Sequence, residues 1–182
     1  MWVLKSKEEL KDAIVESLKM SPTDGAKGLA KPIGSWDVSA VTDMSELFVK
    51  AKKAKFNGDL SKWDVSRVTN MQRMFHEASS FNGDLSKWDV SRVTGMTSMF
   101  ESATSFNGDL SEWDVSKVTR MDYMFYLATS FKQTLCGKWI TSTANKDQIF
   151  YGSPGKIGAC TSKITLGKNP KPNPNPNAHL TP

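Results

Sequence analysis

The sequence predicts a right-handed α/β solenoid, in which each coil contains a short parallel strand and a short helix. A segment at residues 56–69 recurs unchanged at 81–94, and recurs at 106–119 with only two substitutions. The resulting 25-residue period is also kept by the tryptophans, and within each unit the hydrophobic spacing changes from strand-like to helix-like. The tryptophans that mark this period are Trp36, Trp63, Trp88, Trp113 and, more loosely, Trp139.

The first part of each unit has the alternation of a β-strand. Trp63 and Val65 are two residues apart, so they share one face of a strand, whereas Lys62, Asp64 and Ser66 point to the other face. We therefore expect the tryptophans to form an interior column and the polar residues to form an exposed one.

The second part of each unit has the spacing of a short amphipathic helix. Thr69 supplies an N-cap oxygen, and the apolar residues after it recur three and four positions apart. Methionines at this spacing predict core packing rather than soft-metal binding, because thioethers fill gaps between stacked rings. The return turn is assigned to Asn57-Gly58-Asp59, since Asn and Gly tolerate positive φ. The helical face consists of Met71, Met74, Phe75 and Ala78.

The spacing Leu60-x-x-Trp63-x-Val65 is a leucine-rich-repeat skeleton with Trp in place of the second Leu. Over residues 33–131 the units resemble the BspA-like leucine-rich repeats, a family known from mycoplasma surface proteins of unknown function. The resemblance implies a leucine-rich-repeat-like solenoid with an N-terminal capping helix. It also implies a horseshoe-shaped or rod-shaped surface protein, often a lipoprotein or adhesin, and host-protein binding in some members.

Four segments follow from this reading of the chain. Residues 1–30 are assigned to an N-terminal capping helix and linker, 31–131 to the repeats, 132–163 to a degenerate C-terminal repeat or cap, and 164–182 to a Pro/Asn-rich tail. The helix is expected over about residues 7–20, from a capping box that begins at Ser6 and an apolar stripe. This stripe consists of Leu10, Ile14 and Leu18.

Cys136 and Cys160 have two admissible states. They form one bridge if the chain is in an oxidising compartment, and they are isolated thiols if the chain is cytosolic. A bridge would close the degenerate C-terminal coil. The N-terminus has no apolar core of a secretory signal, so the chain is either intracellular or has lost a targeting segment.

Composition limits the classes of function. With 182 residues the chain is too short for a multidomain enzyme, and no apolar run reaches the roughly 20 residues of a transmembrane helix. The net charge of +5 weakly favours anionic partners, but no interleaving of Arg with aromatic residues indicates nucleic-acid binding. Because the sequence lacks a phosphate loop, a metal-ligand cluster and a dinucleotide fingerprint, no cofactor is predicted.

Catalysis has little support in the sequence. The two histidines are His76, on a helix position expected to be exposed, and His179, in the tail, and neither has a recurrent nucleophile beside it. We therefore predict a protein that is not an enzyme, and a hydrolase built from carboxylates is a less favoured alternative.

The polar face of the predicted strands is the first candidate binding surface. A column of carboxylates repels itself unless it is neutralised by Lys and Arg, by bonds to local backbone amides, or by a bound cation such as calcium. Neutralisation or backbone bonding is the favoured structural explanation, and a partner-binding stripe is the functional alternative. This stripe consists of Asp37, Asp64, Ser66, Asp89, Ser91, Asp114 and Ser116.

The variable face of the predicted helices is the second candidate surface. Tyr123, Tyr126 and Leu127 form an aromatic and apolar cluster that either anchors a partner or packs on the C-terminal cap. The sequence therefore predicts a non-enzymatic protein-binding or adhesion module of a cell-surface or extracellular protein. The alternative is a structural or linker subunit of a larger protein assembly.

Overall fold

The computed structural model describes residues 3–21, 23, 32–49 and 55–160. Its elements are helix α1 at Lys7–Met20, a 3-10 turn at Ile33–Ser35, strand β1 at Thr134–Leu135, helix α2 at Lys138–Thr141 and strand β2 at Lys156–Ile157. The two strands pair in parallel, with Leu135 opposite Ile157. The predicted tail at 164–182, most of the linker after α1 and a Lys-rich stretch at 50–54 lie outside the described residues.

The prediction of a leucine-rich-repeat-like right-handed solenoid with a strand and a helix in every coil is wrong. Over the described residues from 36 to 133, the chain consists of turns and single bridges with a 3-10 conformation at Val49, and it contains neither an α-helix nor a longer strand. The two α-helices and the two-stranded parallel sheet all lie outside this stretch, and β1 begins directly after it. The repeat units are therefore largely turns that pack around an aromatic-rich core.

The segment predicted to be helical uses its amides to join one unit to the next. The Arg73 amide donates to the Thr97 carbonyl at 3.0 Å, and the Phe75 amide donates to the Met99 carbonyl at 2.9 Å. An α-helix would direct these amides to carbonyls four residues earlier. Arg73 also has a φ of 56° and Glu77 one of 57°, a left-handed conformation that interrupts a right-handed helix. The helix is therefore replaced by consecutive turns.

The segment predicted to be a strand is also made of turns. The Trp63 amide donates to the Leu60 carbonyl at 3.1 Å, and the Val68 amide donates to the Val65 carbonyl at 2.9 Å, which are the bonds of β-turns. The predicted alternation of faces is nevertheless confirmed, since Trp63 and Val65 are buried whereas Asp64 is exposed.

Thr69 does not cap a helix as predicted. Its hydroxyl and its amide both donate to the Thr42 carbonyl, at 3.2 and 2.8 Å, and Thr94 makes the same pair of bonds to Thr69. The threonines therefore tie neighbouring units together.

The Asn-Gly-Asp segment does not contain the predicted glycine with positive φ. Among the described glycines only Gly137 and Gly152 have positive φ. At Gly83 the requirement is space, because a Cβ atom there would lie 2.9 Å from the Phe81 ring. The preceding Asn82 donates its amide to the Asn57 side-chain oxygen at 2.7 Å, so this segment also links two units.

The interior tryptophan column is confirmed. The indole N–H of Trp88 donates to the Leu60 carbonyl at 3.0 Å, and that of Trp113 donates to the Leu85 carbonyl at 3.0 Å. A buried indole needs such an acceptor, and each unit obtains it from the unit before. Trp63 and Trp139 make the equivalent bonds.

Stacked phenylalanines run through the core in two columns. Phe75 lies 5.4 Å from Phe100 in one column and 4.2 Å from Phe81 of the other, with rings within 8° of parallel. The methionines that follow each Thr are fully buried beside these rings, which confirms the packing prediction. The columns are Phe48, Phe75, Phe100, Phe125 and Phe150, and Phe56, Phe81, Phe106 and Phe131.

The two ends of the units are closed differently. At the N-terminal end the predicted helix is confirmed as α1, with the Ser6 hydroxyl accepting from the Glu9 amide at 3.2 Å. Its stripe, Leu10, Ile14 and Leu18, is buried. At the C-terminal end Cys136 and Cys160 form a disulfide with a Cα–Cα distance of 5.6 Å, which is one of the two states that the sequence left open.

Candidate binding surfaces

The first candidate surface is the row formed by Asp37, Asp64, Asp89 and Asp114. The Asp64 carboxylate accepts a hydrogen bond from the Ser66 amide at 3.0 Å, two residues further on. Such a bond closes an Asx-turn. The structure therefore shows the local backbone bonds that the sequence offered as one explanation of the row, while a binding role stays a prediction. The equivalent pairs are Asp37 with Ser39, Asp89 with Ser91, and Asp114 with Ser116.

In three members of the row these bonds also favour the charged carboxylate. The Ser39 hydroxyl donates to Asp37 at 2.7 Å, and this bond together with the Ser39 amide lowers the pKa of Asp37. Hydrogen bonds from Ser91 and Ser116 lower the pKa of Asp89 and Asp114 in the same way. Hydrogen bonds to a carboxylate favour its charged form, so these three groups are ionised at neutral pH.

A second row of aspartates, which the sequence analysis missed, runs through the same units. Asp59 accepts from the Ser61 amide and Asp84 from the Ser86 amide, both at 2.9 Å, and Asp109 makes the equivalent bond to Ser111. Hydrogen bonds from the serines lower the pKa of Asp59 and Asp84. The signal was available, because Asp-Leu-Ser and Asp-Val-Ser share the Asp-x-Ser spacing of an Asx-turn.

A cleft of about 400 Å³ lies at the N-terminal end of the first row. Its charged wall consists of Asp37, Asp64 and Lys62, and Trp36 and Ser39 also line it. The cleft brings two members of the predicted stripe together with a cation that the prediction had placed beside them.

The second candidate surface is more extensive than predicted. Tyr126 lies 5.7 Å from Tyr123 in an edge-to-face arrangement, and it stacks on Tyr151 of the last unit at 5.0 Å. Tyr151 is 60% exposed and Leu127 is 39% exposed, so the group both contacts the C-terminal unit and remains accessible. We call Tyr123, Tyr126, Leu127 and Tyr151 the tyrosine cluster. Tyr151 was missed because it belongs to the degenerate unit.

His76 does not occupy the exposed helix position that was predicted. It is half-buried, and its Nδ1 atom lies 3.5 Å from a Glu101 carboxylate oxygen of the next unit. In the part of the chain that the structure describes, no group of three or more His, Cys, Asp or Glu side chains is placed to hold a metal ion. The other histidine, His179, lies outside the described residues.

The sequence analysis also missed that Asp122, the residue before Tyr123, is a buried polar side chain. Asp122 is 4% exposed and accepts two hydrogen bonds from the Arg120 guanidinium, both at 3.1 Å, and one from the Thr97 hydroxyl. Burial raises the pKa of Asp122, but the bonds from Arg120 and Thr97 outweigh burial and lower it overall. These hydrogen bonds therefore hold the Arg120 and Asp122 side chains in place next to Tyr123 in the sequence.

The comparison with known families identifies the chain at the level of its repeats. Residues 18–139 match a family described as "Mycoplasma protein of unknown function, DUF285", over more than half of the chain. The chain belongs to this family. The DUF285 match begins within α1 and ends within α2, so it includes both aspartate rows but stops before Tyr151 and Cys160.

The DUF285 description assigns no activity, ligand or partner, and the match does not by itself identify the units as BspA-like repeats. No curated protein matches the chain. No solved structure matches it either. Among the residues described, no helix combines the length and the apolar character needed to cross a membrane.

Proposed function

We propose that this DUF285 chain is a non-enzymatic protein-binding or adhesion module of a cell-surface or extracellular protein. The observation that carries the proposal is the tyrosine cluster, where Tyr126 and Tyr151 stack beside the exposed Leu127. Tyrosine is enriched among the residues that contribute most to protein interfaces, because its ring gives a large contact area with a polar tip. The cluster therefore has the composition of a contact anchor.

The aspartate rows support a polar contact that accompanies this anchor. Each carboxylate is held by a serine amide, so it presents its charge in a fixed direction at little further cost in side-chain entropy. The cleft at Asp37, Lys62 and Asp64 adds a concave point at which charges of both signs are available. A partner with spaced cationic groups would complement such rows.

The same carboxylates argue against the hydrolase alternative. A carboxyl group that acts as a general acid needs a raised pKa, which burial or a neighbouring negative charge provides. The pKa of Asp37, Asp89 and Asp114 is shifted in the opposite direction by hydrogen bonds from serine. These groups are therefore suited to binding rather than to proton donation.

The disulfide supports a location outside a reducing cytosol. Cys136 and Cys160 are bridged, and such bonds persist in secreted and cell-surface proteins. A family described from Mycoplasma is compatible with the surface location that the BspA-like resemblance implies.

The test is a binding measurement with the purified chain and a panel of immobilised extracellular-matrix proteins. Tyr151→Ser and Leu127→Ser are expected to weaken binding to a positive panel member by about tenfold, the effect of losing an anchor residue. Ile140→Ser is the matched control, since Ile140 is 53% exposed and lies outside the cluster. It is expected to change affinity by less than about twofold.

Two results would contradict the proposal. One is equal binding by all three variants, and the other is a chain that binds no panel protein or cell surface. Recovery from its native source in fixed stoichiometry with a complex would instead favour the structural or linker subunit.

A further inference from the structure

The first unit has smaller residues before its tryptophan than the two units that follow it. Gly34 and Ser35 precede Trp36, whereas a Ser-Lys pair precedes both Trp63 and Trp88. The first unit therefore lacks the long side chain that the next two units carry at this position. The cleft of about 400 Å³ lies here, and its volume is within the range of small-molecule binding sites.

The indole N–H of Trp36 is a donor without an acceptor. The indole of Trp63 donates to the Ile33 carbonyl at 2.9 Å, and that of Trp88 donates to the Leu60 carbonyl at 3.0 Å, so each bonds to the unit before. The first unit has no unit before it, and the Trp36 indole has no acceptor among the described residues. Trp36 is nevertheless only 5% exposed, and it lines the cleft.

This nitrogen is not sealed from solvent. Of the side-chain nitrogen and oxygen atoms that the structure describes, only Nδ1 of His76 both lacks a partner and is closed to solvent. The unpaired Trp36 nitrogen is therefore accessible, and the cleft is the concave surface to which this tryptophan contributes. Because buried indoles usually have an acceptor, this one calls for an acceptor from a ligand.

Two carboxylates in the cleft keep one oxygen each for a ligand. Oδ1 of Asp37 accepts from the Ser39 amide at 3.1 Å, and Oδ1 of Asp64 accepts from the Ser66 amide at 3.0 Å. Within the described part of the chain, the Oδ2 atom of neither carboxylate accepts a hydrogen bond. Both carboxylates are thus held in turns and can still pair with a cation.

Lys62 adds the opposite charge to the same cleft. It forms no ion pair with a carboxylate of the described residues. The cleft therefore offers an ammonium group and the Trp36 N–H to a ligand carboxylate, together with two carboxylates for a ligand cation. A neutral ligand would leave these charges unpaired, whereas a ligand that carries both signs of charge complements them.

We propose that the cleft binds the carboxylate and the side-chain cation of a basic amino acid, either free or as the last residue of a polypeptide. The ligand carboxylate accepts from the Trp36 indole and pairs with Lys62, and the ligand cation lies at Asp37 and Asp64. Each unpaired group of the cleft then has a partner. The proposal goes beyond the proposed function and can fail separately from it, because the cleft and the tyrosine cluster share no residue.

An NMR titration that follows the indole N–H resonance of Trp36 tests the proposal. The probes are lysine, Nα-acetyl-lysine and lysinamide, of which only lysinamide lacks the carboxylate. Lysine is expected to shift the Trp36 resonance and to saturate in the millimolar range, as befits a small ligand with few contacts. Lysinamide is expected to bind about tenfold more weakly or worse. The resonance of Trp88, whose indole already has an acceptor, is expected to stay in place.

Nα-acetyl-lysine separates the two sources of the ligand. It keeps the carboxylate and the side-chain ammonium but has no α-ammonium group, so it resembles a chain that ends in lysine. Binding as tight as that of lysine would indicate that the cleft takes a chain end. Much weaker binding, with lysine still bound, would indicate a free amino acid.

The repeats provide a matched control for the carboxylates. Asp37→Asn with Asp64→Asn removes both charges but keeps an acceptor for each turn, and it is expected to weaken lysine binding by about tenfold or more. Asp89→Asn with Asp114→Asn makes the same change further along the row, away from the cleft, and is expected to leave binding unchanged. Unchanged indole resonances of the other tryptophans report that both variants are folded.

Three results would overturn the proposal. The first is a Trp36 resonance that lysine does not shift, including the case in which a neutral sugar such as glucose shifts it instead. The second is lysinamide that binds as tightly as lysine, because the carboxylate would then not be recognised. The third is an equal loss of binding in the two pairs of Asn variants, because the cleft would then not be the site.

Discussion

The two ends of the repeat units are closed by different kinds of interaction. At the N-terminal end, the 14-residue helix α1 places Leu10 and Ile14 on the core with 0% and 1% exposure. At the C-terminal end the described closure consists of a disulfide, a four-residue helix and a two-stranded sheet, and Phe150 is only half-buried. The N-terminal end thus depends mainly on burial of apolar surface, whereas the C-terminal end combines burial of Leu135 and Trp139 with a covalent link.

The largest expected effect comes from a cavity at the N-terminal end. Ile14→Ala removes a buried side chain of α1 and is expected to lower the free energy of unfolding by about 2–5 kcal/mol, as measured by chemical denaturation. Ile140→Ala in α2 is the matched truncation at the C-terminal end. Because Ile140 is 53% exposed, its loss is expected to be within about 0.5 kcal/mol. Equal losses in the two variants would contradict the burial of Ile14 against the core.

The disulfide is expected to be the next largest contribution. Replacing both Cys136 and Cys160 with Ser should lower the free energy of unfolding by about 3 kcal/mol, since the bridge closes a loop with a sequence separation of 24. Denaturation with and without reductant provides the control, because reductant should destabilise the native chain and leave the double variant unchanged. A native chain that is insensitive to reductant would show that the C-terminal closure does not need the bridge.

The N-cap of α1 is expected to make a smaller contribution to the stability of the N-terminal end. Ser6→Ala removes the acceptor of the Glu9 amide and is expected to cost about 1 kcal/mol in thermal or chemical unfolding. Ser6→Asp should restore most of this loss, because Asp is an equally good N-cap. Ser105→Ala, at an exposed turn position, is the control and should be neutral. A neutral Ser6→Ala would indicate that α1 is held by side-chain burial alone.

The smallest expected effect is electrostatic. Burial raises the pKa of Asp43, but hydrogen bonds from Ser45 and the charge of Lys7 outweigh it, so the pKa lies below its ordinary value. Lys7 lies 3.7 Å from Asp43, which is partly exposed, so Asp43→Asn should cost less than about 1 kcal/mol at neutral pH.

The pH dependence of this effect has a definite sign. A carboxyl group whose pKa is lower in the folded state stabilises the fold above its unfolded pKa of about 4, and this contribution is lost as pH falls through the folded pKa. The difference between Asp43→Asn and the native chain should therefore shrink in thermal melts as the pH falls through the lowered folded pKa of Asp43. A difference that grows on acidification would contradict the assignment.

Much of the core could be predicted from the sequence. The recurrence of Trp63, Val65 and Phe75 at a fixed period identified residues that the structure buries, because side-chain burial follows hydrophobic spacing whatever the backbone conformation. The capping box at Ser6 likewise located α1, since its bonds are local.

The backbone between these residues could not be predicted in the same way. The spacing of Met71, Met74 and Phe75 fits one face of a helix, but consecutive turns bury the same residues. What decides between them is the left-handed conformation of Arg73 and of its equivalents in the other units, which a right-handed helix excludes. The degenerate unit offers the one sequence signal, since Gly152 occupies the position of Leu127 and has a φ of 70°.

The sequence predicted the candidate surface that repeats in every unit, the aspartate row, but not the full extent of the tyrosine cluster, which occurs once. The row at Asp64 was visible as a repeated motif, and its local bonding follows from the Asp-x-Ser spacing. The stacking of Tyr126 on Tyr151 depends on how the degenerate unit aligns with the fourth, which the sequence alone does not specify.

The central claim is that the amides of these turns bond to the following unit and not within a helix. Scalar couplings across hydrogen bonds, measured by NMR on the isotope-labelled chain, identify the acceptor of each amide. We predict couplings from the Ser98 amide to the Asp122 carbonyl and from the Phe100 amide to the Met124 carbonyl. Couplings to the carbonyls four residues earlier, at Thr94 and Met96, would contradict the account and restore the helix.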